Sequence, residues 1–298
     1  MSRSKGFSLV ELAVALAIIA LLLAGALIPL STQIDVRSGA DTQRSMDSIR
    51  DAIIGFAQAN GRLPCPANGG TPAGTVDTTT WPTSIAAGAE QWNPGASVCY
   101  AVMGVVPWTT LGVTETDAWG RRFTYRVSPA FADGFAASTW STTNPPSPGT
   151  QSPACAPTPI PTSPTSFALC TLGDIAVFTR GAANTNAVQL GTALPAIFIS
   201  HGKNGFGAWQ TNGTRLNPIP TGNDEAANIN GNMSAIPFVG SYTQQTFYSR
   251  TRTPAAAGCV DPVPGTTNGA PPCEFDDIVV MISTGALITR MVAAGRLP

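Results

Sequence analysis

Two hydrophobic patterns follow one another at the start of the chain. From Phe7 to Leu30 the run FSLVELAVALAIIALLLAGALIPL is apolar on every side and carries one charge, Glu11. As a helix, this run reaches about 36 Å at 1.5 Å per residue, enough to cross the ~30 Å hydrocarbon core of a bilayer. The pattern then narrows to a stripe. Between Ser31 and Asn60, Ile34, Met46, Ile49, Ile53, Phe56 and Ala57 recur at helical spacing, and Asp35, Arg37, Asp41, Arg44, Asp47, Arg50 and Asp51 supply the polar side. That is an amphipathic helix, helped by ion pairs worth a few tenths of a kcal/mol each. Gly61 and Pro64 are stop signals. The prediction is one helix of about 54 residues and about 80 Å, membrane-spanning over 7–30 and packed on a globular domain over 31–60. Pro29 removes a backbone hydrogen bond and Gly25 lowers helix stability, so a bend or unwound stretch is expected over 24–30.

Beyond Gly61 the helical spacing gives way to short β-rich runs, of which Arg122–Val127 alternates. Val98–Val106, Arg122–Val127, Asp174–Phe178, Ala196–Ser200 and Ile278–Ser283 read as strands. Residues 61–96 form a connecting loop region rich in Thr, Gly and Pro. Residues 140–166, rich in Pro, Ser and Thr, read as a surface insertion, and 210–270, with few strand signals, as a second one. Leu287–Arg296 suggests a short closing helix. The expected fold class is α+β: a long amino-terminal helix laid across an antiparallel sheet with long loop insertions, the globular part running over 61–298.

Composition adds a location. Charged residues make up 11% of the chain, against roughly 25% for an average soluble domain. With 30 Gly and 26 Pro, this resembles an exported protein. The formal net charge is −1, which gives nucleic-acid binding no support. The local cluster Arg121, Arg122 and Arg126 reads as a solvated strand edge. The six cysteines, Cys65, Cys99, Cys155, Cys170, Cys259 and Cys273, form no CxxC pair, and His201 is the one histidine, so a zinc site is poorly supported. An even count in an exported chain favours disulfides, with fifteen pairings open. Loop closure favours near neighbours, hence Cys65–Cys99, Cys155–Cys170 and Cys259–Cys273.

The order of charge and grease at the amino terminus sets the topology. Arg3 and Lys5 precede the apolar run, which places that end in the cytoplasm and the rest of the chain outside. Ala24-Gly25-Ala26 would suit an ordinary secretory cleavage after the run. The stretch Lys5-Gly6-Phe7-Ser8-Leu9-Val10-Glu11-Leu12 instead resembles the prepilin recognition sequence of type IV pilins and type II secretion pseudopilins. The resemblance covers roughly the first thirty residues. It implies a leader over 1–6, cleavage by a prepilin peptidase between Gly6 and Phe7, and methylation of Phe7. A carboxylate inside a membrane helix is costly without a partner. The partner implied for Glu11 is the Phe7 amine of a neighbouring subunit, an ion pair that sets the register of assembly. Pro29 is the further assembly residue, since such helices melt around a proline here.

Two later segments carry a weaker resemblance to major pseudopilins. Asp117-Ala118-Trp119-Gly120-Arg121-Arg122-Phe123-Thr124-Tyr125 is similar to their DPWG turn entering a strand, and Ser200-His201-Gly202-Lys203-Asn204-Gly205 to their S-x-G-x-D-G segment. The resemblance implies a calcium-binding loop. Asn204, Asp224, Glu225 and Asn228 are then the candidate oxygen donors, although Asn204 replaces an acid, and a hydrogen-bonded loop is the alternative. Calcium is the only cofactor suggested. Asp276 and Asp277, entering a strand, are expected on opposite sides of it. The HGKNG run lacks the Ser or Thr and the upstream Gly of a phosphate loop, and no nucleophile motif accompanies His201, so the expectation is not an enzyme.

Three functions remain: a filament subunit, either a pilus subunit of minor or large type or a secretion pseudopilin; a tip or adhesin module on such a filament; and a tethered periplasmic enzyme. For the first two, the implied partners are other pilin subunits, the prepilin peptidase, an inner-membrane assembly platform and membrane lipid.

Overall fold

The computed structural model describes residues 8–78, 84–133, 165–169, 171–181, 187–216, 220, 222–230, 232–234, 244–262 and 269–297, with the side chains of 22–32, 230, 232–234 and 244 outside that description. The chain opens with a 52-residue helix, α1 (Leu9–Asn60). Two small ribbons follow, β1 (Val76–Asp77) with β2 (Ile85–Ala86), and β3 (Trp92–Asn93) with β4 (Val98–Cys99). Next come β5 (Met103–Val105), the single turn α2 (Trp108–Leu111), β6 (Thr124–Val127), the turn α3 (Pro129–Ala132), β7 (Ile175–Thr179), β8 (Val188–Leu194) and β9 (Ala196–Ser200). The last third holds α4 (Asn223–Asn230), β10 (Asn232–Ser234), β11 (Gln244–Tyr248), β12 (Ile278–Ile282) and α5 (Thr284–Ala293).

The fold is α+β with two four-stranded sheets. One is antiparallel throughout in the order β12-β9-β6-β5. Side-chain alternation sends Phe123, Tyr125 and Val127 of this sheet to one face, where they join Met46, Ile49, Ile53 and Ala57 of α1 and Leu287 and Met291 of α5 in the main core. The four α1 residues are fully buried, each contributing about 1.5–3 kcal/mol where the side chain is large. On the opposite face Ile197 and Ile199 meet Ile175, Val177 and Phe247 of the second sheet. That sheet runs β10-β11-β7-β8, with β11 and β7 parallel. Layers therefore stack as helices, sheet, sheet. The 174–178 strand thus lies in a second sheet rather than in the single one expected. Residues 210–270 are more than a loop insertion, since they supply α4, β10 and β11. Val98–Val106 is broken into β4 and β5. The 140–166 insertion lies outside the described residues except for Thr165 and Ser166, which are buried.

Helix α1 ends where the sequence predicts. Gly61 takes the left-handed conformation (φ 72°) and its N–H bonds the Ala57 carbonyl at 2.8 Å, a backbone shape that glycine adopts without penalty. The carboxyl-terminal tail clamps this end: Arg296 donates to the carbonyls of Gln58, at 2.7 Å, and Ala59. The helix is continuous through 24–30, so the unwound stretch is absent. One missing donor at Pro29 leaves the flanking i to i−4 bonds available to carry the helix. Ile34 is 59% exposed rather than packed; it lies before Thr42, the first α1 residue buried against the head, which accepts the Ala118 N–H at 3.2 Å.

The arginines expected at a solvated edge are not all there. Arg122 is fully buried, bonded to Glu115 and to the carbonyls of Gly69 and Thr71. Arg126 is also buried and joins the sheets by bonding Asp174 and Gln245. Both lie inside because carboxylates and carbonyls meet them there. Disulfides join Cys65 to Cys99 and Cys259 to Cys273. Cys155 and Cys170 lie outside the described residues.

Candidate functional site

Gly6 and Phe7 lie outside the described residues. The helix that follows is capped by its own sequence. Ser8 Oγ accepts the Glu11 N–H at 3.2 Å, and Glu11 Oε2 accepts the Ser8 N–H at 2.9 Å, a capping box that satisfies two of the free donors of a helix start. The Glu11 carboxylate therefore points back along α1 toward its beginning. From Leu9 to Leu21 the large apolar side chains are between 52% and 86% exposed, so this end of α1 stands clear of the head. Among the described residues no helix is long and apolar enough to cross a membrane; the described side chains of the apolar run stop at Leu21. Pro29 lies within α1, its side chain outside the description.

A second constellation lies in the head, where two sequence segments meet. Asp117 accepts the N–H groups of Trp119 and Arg121 at 2.9 and 3.0 Å through one oxygen, and the Ser200 hydroxyl at 2.6 Å through the other. Burial pushes its carboxyl above the ordinary value, against the pull of those bonds. Arg121 then reaches the Gly202 carbonyl at 2.6 Å. Gly202 has φ 57°, and a Cβ there would lie 2.5 Å from Asp276. The backbone can approach the acid because no side chain intervenes.

Around this turn the structure gathers Glu225, Asp276 and Asp277, whose oxygens come within 4.8 Å of one another. Asp276 and Asp277 converge instead of alternating because they precede the first ladder pair of β12, Ile278 with Ser200. Glu225 accepts the Asn204 amide at 2.8 Å, and Asp276 accepts the Asn204 backbone N–H at 2.9 Å. Glu225 Oε2 and Asp276 Oδ1 are enclosed with no donor unless one of them carries a proton. Desolvation first, then the Asp277 charge, pushes the Glu225 carboxyl up to about 9. Asp276 is raised too, chiefly by burial. His201 is fully buried, with Nε2 2.8 Å from the Thr124 hydroxyl and Nδ1 3.3 Å from Asp277. This is a hydroxyl, imidazole and carboxylate in relay order, but Thr124 is only 5% exposed, and a nucleophile must be open to its substrate.

Three of the four proposed calcium donors are already committed to other partners. Asp224 is held by Arg180 at 2.7 and 2.9 Å and faces Arg250 at 3.3 Å. Asn228 accepts the Tyr248 N–H at 2.8 Å and donates to Tyr248 and Asp277 at 2.9 and 2.8 Å, so its amide is spent on structure. Asn204 contributes through Glu225; its own oxygen accepts the Phe206 N–H at 3.1 Å. Glu225 fits, joined by Asp276 and Asp277. Three carboxylates gathered here, two of them with an enclosed oxygen that meets no donor, would suit a hard cation, which takes six to eight oxygens when it is calcium. A cation here would neutralise the repulsion and pin α4 to the start of β12. The signal for Asp276 and Asp277 was visible as paired acids entering a strand; the structure adds that this strand pairs with the one that precedes His201.

Comparison with known proteins bears on the amino terminus. Residues 1–27 match the family described as "Prokaryotic N-terminal methylation motif". The chain thus carries the type IV pilin and pseudopilin prepilin-type signal, which supports a pilin-like or pseudopilin substrate of prepilin peptidase. No curated protein and no solved structure matches the chain.

Proposed function

We propose that this chain is a structural subunit of a type IV pilus-like filament, a minor or large pilin. In this reading a prepilin peptidase cuts between Gly6 and Phe7 and Phe7 is methylated. The 7–30 segment then holds the subunit in the inner membrane with its amino terminus cytoplasmic and its head periplasmic. Assembly follows through α1, with Glu11 neutralising the Phe7 amine of a neighbouring subunit. The observation that carries the reading is the division of α1: its first turns present exposed apolar side chains, while Met46, Ile49, Ile53 and Ala57 are sealed into the head. A helix so divided leaves a free apolar shaft that lipid covers first and sister helices cover later. The chain acts as a building block and not as an enzyme.

A pseudopilin of a type II secretion system is the second reading. It is favoured by the junction of Asp117 with Ser200, which joins the two segments that resemble major pseudopilins, and by the neighbouring acidic cluster. Under either reading Glu225, Asp276 and Asp277 would hold calcium as a structural ion. Mass spectrometry of the mature protein from its native membrane tests the shared claim. A chain beginning at methylated Phe7 is the expected result, and one beginning after Ala26 would end the filament reading. Counting copies along isolated filaments separates a shaft subunit from a tip adhesin.

A further inference from the structure

A pocket of about 420 Å³ opens between α1 and the head, lined by Asp35, Trp119, Lys203, Arg252, Phe275 and Asp276, among others. Its height along α1 is fixed by the helix itself. Asp35 lies five residues beyond Leu30, the end of the apolar run, which is about 7.5 Å at 1.5 Å per residue. That falls within the headgroup layer, since headgroups add about 5–8 Å on each side of the hydrocarbon core. Ile34 and Val36 flank this level at 59% and 67% exposure. They extend the apolar surface of the helix to the foot of the pocket and meet no cover from the head.

The pocket's chemistry matches that location. The Arg252 guanidinium stands 5.6 Å from the Trp119 ring centroid, and among the described residues it has no carboxylate partner. Lys203, which also lines the pocket, pairs with Asp35 at 2.8 Å, with 65% of its side chain exposed. Trp119 supplies an apolar wall, with the buried Phe275 behind it. Indole rings settle at the membrane interface, and basic side chains near a bilayer surface attract anionic lipids. Asp276 is the one repulsive group besides Asp35. One of its oxygens already accepts the Asn204 N–H, and its face toward Glu225 belongs to the acidic cluster.

We propose that this pocket docks the phosphate headgroup of an anionic phospholipid of the leaflet the head faces, with Arg252 as its charge partner and Trp119 as the wall it packs against. The proposal rests on the membrane-anchored reading of α1. It gives the head a second point of attachment to the membrane, so the unassembled subunit is held at a fixed height and rotation instead of swinging on its stem.

The test uses the full-length mature chain in phosphatidylcholine nanodiscs doped with increasing phosphatidylglycerol, with a nitroxide quencher on the lipid just below the glycerol. Quenching of Trp119 is read as the difference between wild type and Trp119→Phe. Quenching should rise with phosphatidylglycerol, and Arg252→Gln should raise the half-saturating fraction about fivefold, the effect of one basic group at an anionic surface. Asp35→Asn, which frees Lys203, should lower it. Resistance of the protein to alkaline extraction reports insertion separately. A chain that resists extraction but shows no Trp119 quenching, or quenching indifferent to phosphatidylglycerol or to Arg252, overturns the pocket proposal. A chain lost on extraction overturns the anchor reading on which it rests.

Discussion

Asn204 binds Glu225 through its side-chain amide at 2.8 Å and leaves the other Glu225 oxygen enclosed without a donor. That single relationship sets the chemistry of the head. The acid must keep a proton or share a cation with Asp276 and Asp277.

The pH dependence follows in sign. The Glu225 carboxyl is raised from 4.5 to about 9 in the folded head, so the folded state keeps a proton that the unfolded chain releases near 4.5. Without a cation, this group's contribution to stability is fully present below the unfolded value and is lost as pH rises through the folded one. A calcium ion bound here would compete with the proton, so its stabilising effect would grow across the same window. Thermal midpoints measured in chelator and in calcium should diverge as pH rises, and Glu225→Gln should flatten the chelator profile. Parallel profiles in wild type and Glu225→Gln would remove Glu225 from this role.

Glu11 should separate insertion from assembly. Glu11→Ala removes the charge proposed to pair with a sister subunit, and breaking a buried ion pair costs about 3–5 kcal/mol. The loss of the capping box costs the helix only about 1 kcal/mol. Membrane fractionation should find normal levels of the variant, while filaments sheared from cells should lack it. Normal incorporation would show that the pair does not set the register.

The two halves of α1 should respond oppositely to truncation. Ile53→Ala opens a cavity in a fully buried site and should cost about 2–5 kcal/mol. Ile34→Ala removes an exposed side chain and should change stability by no more than about 0.5 kcal/mol. Thermal unfolding of the full chain in detergent compares them directly.

Arg296 closes the far end of the head onto α1. It places a cation on the last carbonyls of the helix, where the helix dipole favours positive charge. Arg296→Ala should lower stability by about 1–3 kcal/mol, and hydrogen exchange should rise first at residues 56–61. Exchange unchanged there would show that the clamp carries no weight.

How much of this was legible beforehand depends on the range of the interaction. Met46, Ile49, Ile53 and Ala57 announce their face by local periodicity, and Gly61 ends the helix through its own conformation. The strand at 122–127 follows from alternation and the one at 196–200 from its short β-rich run. What pairs with what does not. Ile175–Thr179 reads as one more strand of a single sheet, and only the parallel partner at Gln244–Tyr248, far along the chain, reveals a second layer. Arg122 and Arg126 read as surface charges because their partners Glu115 and Asp174 are brought to them by folding. Asp224 has the chemistry of a calcium donor in sequence, yet two arginines from other elements already satisfy it. Asp276 and Asp277 are obscured by the rule of alternation, which begins to apply only at Ile278.

The pairing of β7 with β11 also orders events in time. Synthesis makes the stem first, yet the strand that completes the second sheet and the strand that borders the main one both come late, at residues 244–248 and 278–282. Until these arrive, Ile175, Val177 and Ile199 lack Phe247, the late member of their cluster. A chain cut short before residue 244 would therefore leave β7 without its parallel neighbour and the main sheet without its edge strand β12.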